Sequence, residues 1–351
     1  MKLYQIVEIA GNDNHAGTKA TADIAAIAER LGFSPIKIRM RSTALSKAAK
    51  LQRQIGYLKD WHEACQRIEP YSVVLLQHPF HYPQLTREGT LSKLKNQKHV
   101  RYICLVHDVE KLRGFRYSEY YQREFQMMLE WMDVLIVHND CMADYFEKLG
   151  VDSKRIVKLD IFDYLRKGSD NSVPAFAREI TVAGNLDTVK CGYIGQLYEL
   201  DPLTIRLYGP NFDEKLAAYK NIQYGGNWPS DKIPSKLDRG FGLVWDGTSI
   251  AGCLGDAGQY LRFNNPHKLS LYLSSGLPVV IWSGAAEAAF VSEHGLGMTV
   301  SSLEELPKRM EELTETDYDT YIRNIIPVRD NLIHGYYGKC ALQKALELVR
   351  R

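Results

Sequence analysis

Short, uninterrupted apolar runs alternate with stretches of helical spacing through the first half of the chain. Lys2–Ile9 reads as a strand, and Thr18–Leu31 puts Ile24, Ile27, Ala28 and Leu31 on one helical face before a stop at Gly32. Further strands are predicted at Pro35–Ile38, Ser72–Gln77, Val100–Val106, Val134–Val137 and Arg155–Leu159. Helices fit 44–69, 84–97, Tyr117–Met132 and a segment capped by Asn139 that runs to Leu149. Because the strand runs are continuous rather than alternating, both faces must be buried, as in a parallel sheet wrapped by helices. Residues 160–178 collect Gly, Ser, Asp, Asn and Pro and read as a linker. The pattern then restarts, with strands at 180–184, 205–209, 221–226, 240–245, 277–282 and 297–300 and helices at 211–219, 266–275, 284–293 and 302–313. The expected organisation is α/β: one unit over 1–160, a second over 179–315, and a helical tail over 316–351, broken at Pro327 and free to pack back on the first unit.

Composition narrows the class without naming a chemistry. A chain of 351 residues suggests about two domains. Its formal charge of +2 gives no support for a nucleic-acid-wrapping surface. The six Cys are dispersed with no CxxC pair, which argues against a zinc or iron–sulfur site and against a disulfide framework. The short apolar N-terminus carries Glu8 and reads as a strand rather than a signal peptide, and no apolar run is long enough to span a bilayer, so a cytoplasmic protein is expected.

Ligands of open α/β sheets bind beyond the C-terminal strand ends, which directs attention to the loops there. The densest pattern is Asn264-Asn265-Pro266-His267-Lys268-Leu269 running into an apolar helix. A helix start offers free amides and a positive dipole to an anion, and Lys268 adds a charge that is unfavourable there unless an anion is bound. The same pattern also fits an ordinary capped helix with a surface lysine. Gly184 and Asn185 close the first strand of the second unit and could meet a ligand, with Lys190 nearby either as a phosphate contact or simply exposed. Tyr208 ends the next strand, as a plain turn or as an aromatic wall for a base. Asp246 stands at the end of the 240–245 strand, and the Gly-rich loop that follows, 246–267, also holds Asp256, Arg262 and Asn264. In the first unit His107-Asp108 closes a buried strand; Asp108 is the preferred general base, with His107 and His15 as imidazole alternatives, or Asp108 merely caps a turn. His78 and His81, flanking Pro79, suit an acceptor lining better than a metal site. With no HExxH, paired DxD, GxGxxG or Walker A pattern, no metal and no cofactor are expected.

The run P-x-K-L-x-x-Y-L-x-x-G-x-P-V-V, preceded by G-F-G-L-V-W, resembles the C-terminal domain of GT-B glycosyltransferases. Together with V-H-D-V at 106–109, A-G-N at 183–185 and G-L-G at 295–297, it resembles bacterial glucosyltransferases that extend O-glycans on serine-rich adhesins and the related galactofuranosyltransferases. That resemblance implies two Rossmann-like domains facing a central cleft, a UDP-sugar held mainly by the second, and a glycan acceptor approaching from the first. Gly184, Asn185, Lys190, Tyr208, Asp246, Asn264 and Lys268 become donor-site candidates. Many retaining GT-B enzymes place a Glu where this chain has Leu271, so the departure favours inversion. The related adhesin enzymes carry an Arg near the position of Thr188, which leaves Lys190 as the nearest cation. The resemblance is compatible with a lipid-linked acceptor at a membrane surface and with a homo-oligomer. An epimerase or phosphorylase on the same fold, or a non-catalytic nucleotide-sugar-binding subunit, are the rival readings.

Overall fold

The computed structural model describes residues 1–9, 16–114, 118–166 and 172–350. Its first half runs β1 (Leu3–Ile9), α1 (Ala16–Arg30), β2 (Ser34–Arg39), α2 (Lys47–Arg67), β3 (Val73–His78), α3 (Arg87–Lys98), β4 (Arg101–Val106), α4 (Glu110–Arg113), α5 (Glu119–Trp131), β5 (Val134–Val137), α6 (Asp140–Lys148) and β6 (Ile156–Lys158). These strands form one parallel sheet in the order β2-β1-β3-β4-β5-β6. The second half runs β7 (Ala175–Ala183), β8 (Thr204–Tyr208), β9 (Ile222–Tyr224), β10 (Arg239–Val244), α7 (Gly255–Tyr260), α8 (His267–Ser274), β11 (Val279–Trp282), α9 (Ala288–His294), β12 (Gly297–Val300), α10 (Leu306–Glu312), α11 (Glu315–His334) and α12 (Tyr336–Arg350). Its parallel sheet has the order β12-β11-β10-β7-β8-β9. Two parallel six-stranded sheets with helical layers make this a GT-B architecture of two Rossmann-like halves.

Burial follows the sequence pattern. One face of the first sheet packs Tyr57, Trp61 and Tyr102, and the other packs Ile24, Ile27 and Ile103. That second face is completed from the far end of the chain by Ala341, Leu342, Ala345 and Leu346 of α12. Asp163 fixes the return by accepting from the backbone N–H groups of Tyr337 at 3.2 Å and Gly338 at 2.6 Å.

Several boundaries differ from the sequence expectation. Ile161, Phe162, Asp163 and Tyr164 are buried rather than linker-like, and β7 starts at Ala175. The loop 246–267 contains α7, and 211–219 holds only a 3₁₀ segment over Glu214–Ala218. The tail does not break at Pro327. There α11 continues, held by the buried Ile325, Val328 and Leu332, and it ends at Gly335, whose φ of +83° reverses the chain.

Strand order changes direction between β1 and β3 in the first sheet and between β7 and β10 in the second. Both crevices open at the C-terminal strand ends, where α/β sheets bind ligands.

Candidate active site

A cavity of about 860 Å³ lies between the two halves. Asp108, Arg113, Gly114 and Tyr164 line it from the first half, and the turns after β7, β8 and β10 with the start of α8 line it from the second. A hollow of about 710 Å³ beside α5 holds none of the candidate residues.

The floor is made of backbone. Gly184 and Gly209 adopt φ of +148° and +143°, and a Cβ on Gly209 would stand 1.7 Å from the Gly184 carbonyl oxygen. Only glycine lets the two turns touch. Gly184 N–H donates to Tyr208 O at 2.9 Å, and the Asn185 amide oxygen accepts from Asn211 Nδ2 at 2.8 Å. Lys268, the second residue of α8, lays its stem against Gly184 and donates from Nζ to Trp245 O at 3.2 Å. Burial works against its charge. Asp246, with the Cys191, Tyr272 and Cys253 side chains, holds its pKa above the ordinary lysine value all the same. Asp246 accepts from Gly247 N–H at 2.8 Å. Asn264 contributes a buried side-chain oxygen without a hydrogen-bond partner on the cavity wall. A buried acceptor left unmade is costly, so an orphan of this kind marks a place for a ligand donor. Lys190 reaches the rim, largely exposed and 3.8 Å from Asp187.

Tyr208 lines the cavity, but the reading of its ring as an open stacking face needs correction. The side chain is only 4% exposed and its ring lies against Gly225. An exposed aromatic on the cavity wall is Trp228, 43% exposed, whose indole N–H donates to Gly225 O at 2.8 Å and whose ring carries Lys236 Nζ 4.2 Å from its centroid. Trp228 is not among the residues that the sequence pattern points to; its signal is a Trp beside Pro in a Gly-rich turn.

Asp108 stands just beyond β4 on the cavity wall. Arg113 Nη1 donates to its Oδ2 at 2.9 Å, and the Tyr260 hydroxyl, which accepts from Val109 N–H at 2.9 Å, also hydrogen-bonds the carboxylate. Burial pushes the Asp108 pKa up to about 6, against the pull of Arg113. Gly114 and Asp256 meet across the cleft so closely that a Cβ on Gly114 would stand 2.8 Å from Asp256 Oδ2.

His107 is placed differently from Asp108: its ring lies behind the cavity, stacked on Phe162 at 5.3 Å. Its Nε2 is 2.7 Å from Gln77 Oε1, and Gln77 Nε2 donates to Thr21 O, so the Gln77 oxygen faces the imidazole and Nε2 carries the proton. Burial, with His267 and His138 nearby, lowers its pKa well below the usual histidine range. A neutral ring engaged this way orients the strand end better than it serves as a base. His15 lies outside the described residues.

Two features escaped sequence reasoning because partners distant in sequence create them. His267, at the first position of α8, lines the cavity with both ring nitrogens buried and unpartnered, and its ring lies 5.1 Å from Phe162. Behind it a polar clasp joins the halves. Asn265 donates from Nδ2 to His138 O at 3.1 Å and to Asp160 O at 2.9 Å, and its backbone N–H donates to His138 Nδ1 at 2.9 Å. Asn139 Nδ2 completes the clasp, reaching Asn265 Oδ1 at 2.7 Å and Glu287 Oε1 at 3.1 Å. Among the described residues no group of three His, Cys, Asp or Glu side chains is placed to hold a metal ion.

Comparison with known proteins agrees with this geometry. Residues 3–161 match the model of the glucosyltransferase 3-like N-terminal domain and residues 180–345 that of the C-terminal domain. The chain is 32% identical over 252 residues to the beta-1,6-galactofuranosyltransferase WbbI of Escherichia coli K12, covering 70% of this chain and 72% of that one. It is 25% identical over 328 residues to glucosyltransferase 3 of Streptococcus gordonii, covering 93% of each. Among solved structures, Anabaena HepE in complex with UDP-glucose superposes with a TM-score of 0.59 at 12% identity, over 99% of this chain and 100% of that one. Sucrose-phosphate synthase of Thermosynechococcus elongatus superposes with a TM-score of 0.64 at 11% identity, over 99% of each chain. Two sheets facing one polar cavity, both family domains in order and a relative above 30% identity lead to one conclusion: the chain belongs to the glucosyltransferase 3-like family of GT-B glycosyltransferases.

Proposed function

We propose that this chain transfers a hexose, galactofuranose or glucose, from a UDP-sugar to a hydroxyl of a glycan acceptor, with inversion and without a metal ion. One observation carries the reading: Asp108 from one half and Lys268 at the start of α8 from the other line the same cavity. Charge building on the departing diphosphate would be met by the Lys268 ammonium and the first-turn amides of α8. Asn264 supplies an acceptor for a donor hydroxyl or amide, and Trp228 offers a flat face to the base. Asp108, with a pKa of about 6, is ionised at neutral pH yet basic enough to take the acceptor proton during attack. Arg113 and Tyr260 hold the carboxylate in place while it does so. The names of the relatives support the donor class.

The acceptor in this reading is a glycan carried on a lipid, and the reaction belongs in the cytoplasm, a compartment suited to six free cysteines. The test is a panel of UDP-hexoses with a glycan acceptor in excess EDTA, with the product anomer read by NMR. The inverted product should accumulate. Retention, or activity that returns only with added Mg²⁺ or Mn²⁺, would reject the mechanism.

A further inference from the structure

The outward side of α2 is apolar. At 3.6 residues per turn Leu51, Ile55 and Leu58 fall in one stripe, opposite the face that buries Tyr57, Asp60 and Ala64. They are 63%, 62% and 56% exposed. Two still more exposed leucines join them: Leu45, in the segment entering the helix, and Leu85, in the segment after β3. Gln54 ties that second segment to α2, donating to Pro83 O at 2.8 Å and accepting from Leu85 N–H at 3.1 Å. Large aliphatic side chains gathered on one face mark an interaction surface.

The same stretch is basic. Arg39 to Lys59 contains six basic residues and no acidic one, whereas the rest of the chain carries a net negative formal charge. Arg39 and Arg41 turn toward the buried Asp60, and Arg53 donates to the backbone carbonyls of Ser42 and Ala44. Lys47, Lys50 and Lys59 are left exposed along the two flanks of the stripe. A second copy of this face would bring these lysines against one another, so self-pairing is disfavoured. An aliphatic stripe between lysines fits a bilayer surface, with leucines entering the acyl boundary and ammonium groups meeting anionic headgroups. The stripe occupies the first half of α2, next to the end of β2 and the segment after β3. It therefore lies toward the C-terminal strand ends of the first sheet, the end that also carries Asp108. No helix among the described residues is long and apolar enough to cross a membrane, so the contact is peripheral.

We propose that this face of α2 docks the protein on an anionic phospholipid surface, which presents the cavity to a membrane-borne glycan; the acceptor half of the statement rests on the glycosyl-transfer reading above. The experiment is co-sedimentation of the full chain with phosphatidylcholine–phosphatidylglycerol vesicles and with phosphatidylcholine vesicles alone. Wild type should bind the anionic vesicles in a salt-sensitive way. Leu51→Ser/Ile55→Ser and Lys47→Glu/Lys50→Glu should each lower the partition by about tenfold or more, on the scale of a few apolar and cationic contacts. Both variants should keep the thermal shift produced by UDP, which shows that they are folded. They should also keep transfer to a water-soluble acceptor while losing transfer to one embedded in vesicles. Equal vesicle binding by wild type and both variants would overturn the proposal. So would a wild-type dimer in analytical ultracentrifugation that Leu51→Ser/Ile55→Ser splits, without any vesicle binding. Vesicle binding that depends on these residues, with no transfer by wild type to either acceptor, would uphold the docking face and reject the transferase reading.

Discussion

At the scale of single residues the cavity assigns separable work to Asp108 and Lys268. Asp108→Asn keeps the shape and the hydrogen bonds to Arg113 but cannot take a proton, so turnover should fall by about 10²–10⁴-fold with UDP binding preserved. Because the base acts ionised and its pKa is about 6, wild-type turnover should rise as pH increases through that value, and this limb should vanish in the variant. A pH–rate profile checks both; an unchanged acidic limb in Asp108→Asn would move the role to another group. Lys268→Ala should weaken UDP binding by about 1–3 kcal/mol, the usual scale for hydrogen bonds to a charged group. Calorimetry with UDP reads this directly, and equal affinity in the variant would remove Lys268 from the donor seat.

At the scale of elements the touching turns after β7 and β8 are the most exacting feature. Gly209→Ala forces a Cβ into the Gly184 carbonyl at a φ of +143°, and should cost about 2–4 kcal/mol from backbone strain plus overpacking, with loss of UDP affinity. Gly150, just past α6, also has a positive φ, of +90°, but has open space around its Cβ position. Gly150→Ala should therefore cost only about 1 kcal/mol and leave UDP binding alone. Urea unfolding of the two variants separates close approach from backbone conformation. Similar midpoints would show that the turns can part without penalty.

The whole molecule is held at a fixed crossing by the clasp around Asn265 and by α12. Within the clasp Glu287 is buried, with one carboxylate oxygen unpartnered, and burial pushes its pKa up to about 8. The fold thus prefers the protonated acid. Its contribution to stability is complete below the ordinary glutamate range, declines as pH rises, and is lost once pH passes about 8. Glu8 and Asp163, each raised to about 7 by burial, act in the same direction. Buried neutral His78, His107, His138 and His267 act in the opposite direction below the ordinary histidine range, so the urea midpoint of the wild type should fall between pH 7 and pH 8, where only the carboxylates still titrate. Glu287→Gln should flatten that slope and gain most at pH 8. A slope identical to wild type would mean that Glu287 is not the group being titrated.

Continuous apolar runs in the sequence determined two parallel α/β units, because a strand covered on both faces leaves no polar alternate positions. Asn139 and the Pro266-His267-Lys268 run were legible for a similar reason: helix starts are local, and their chemistry is written within a few residues. The resemblance of short motifs in order supplied the family. Only the tertiary structure decided what each buried face meets. Periodicity shows that a face is apolar but not that α12 returns to cover the first sheet, nor that helix packing carries α11 through Pro327 to Gly335. Tyr208 and Trp228 look alike as aromatics near turns, and only their surroundings bury one ring and expose the other. Burial in the cleft raised the Asp108 pKa, with the Tyr260 hydroxyl from the other half of the chain hydrogen-bonded to the carboxylate, and the clasp joins residues equally remote. Burial and long-range hydrogen bonds set those properties, and neither is a function of local sequence.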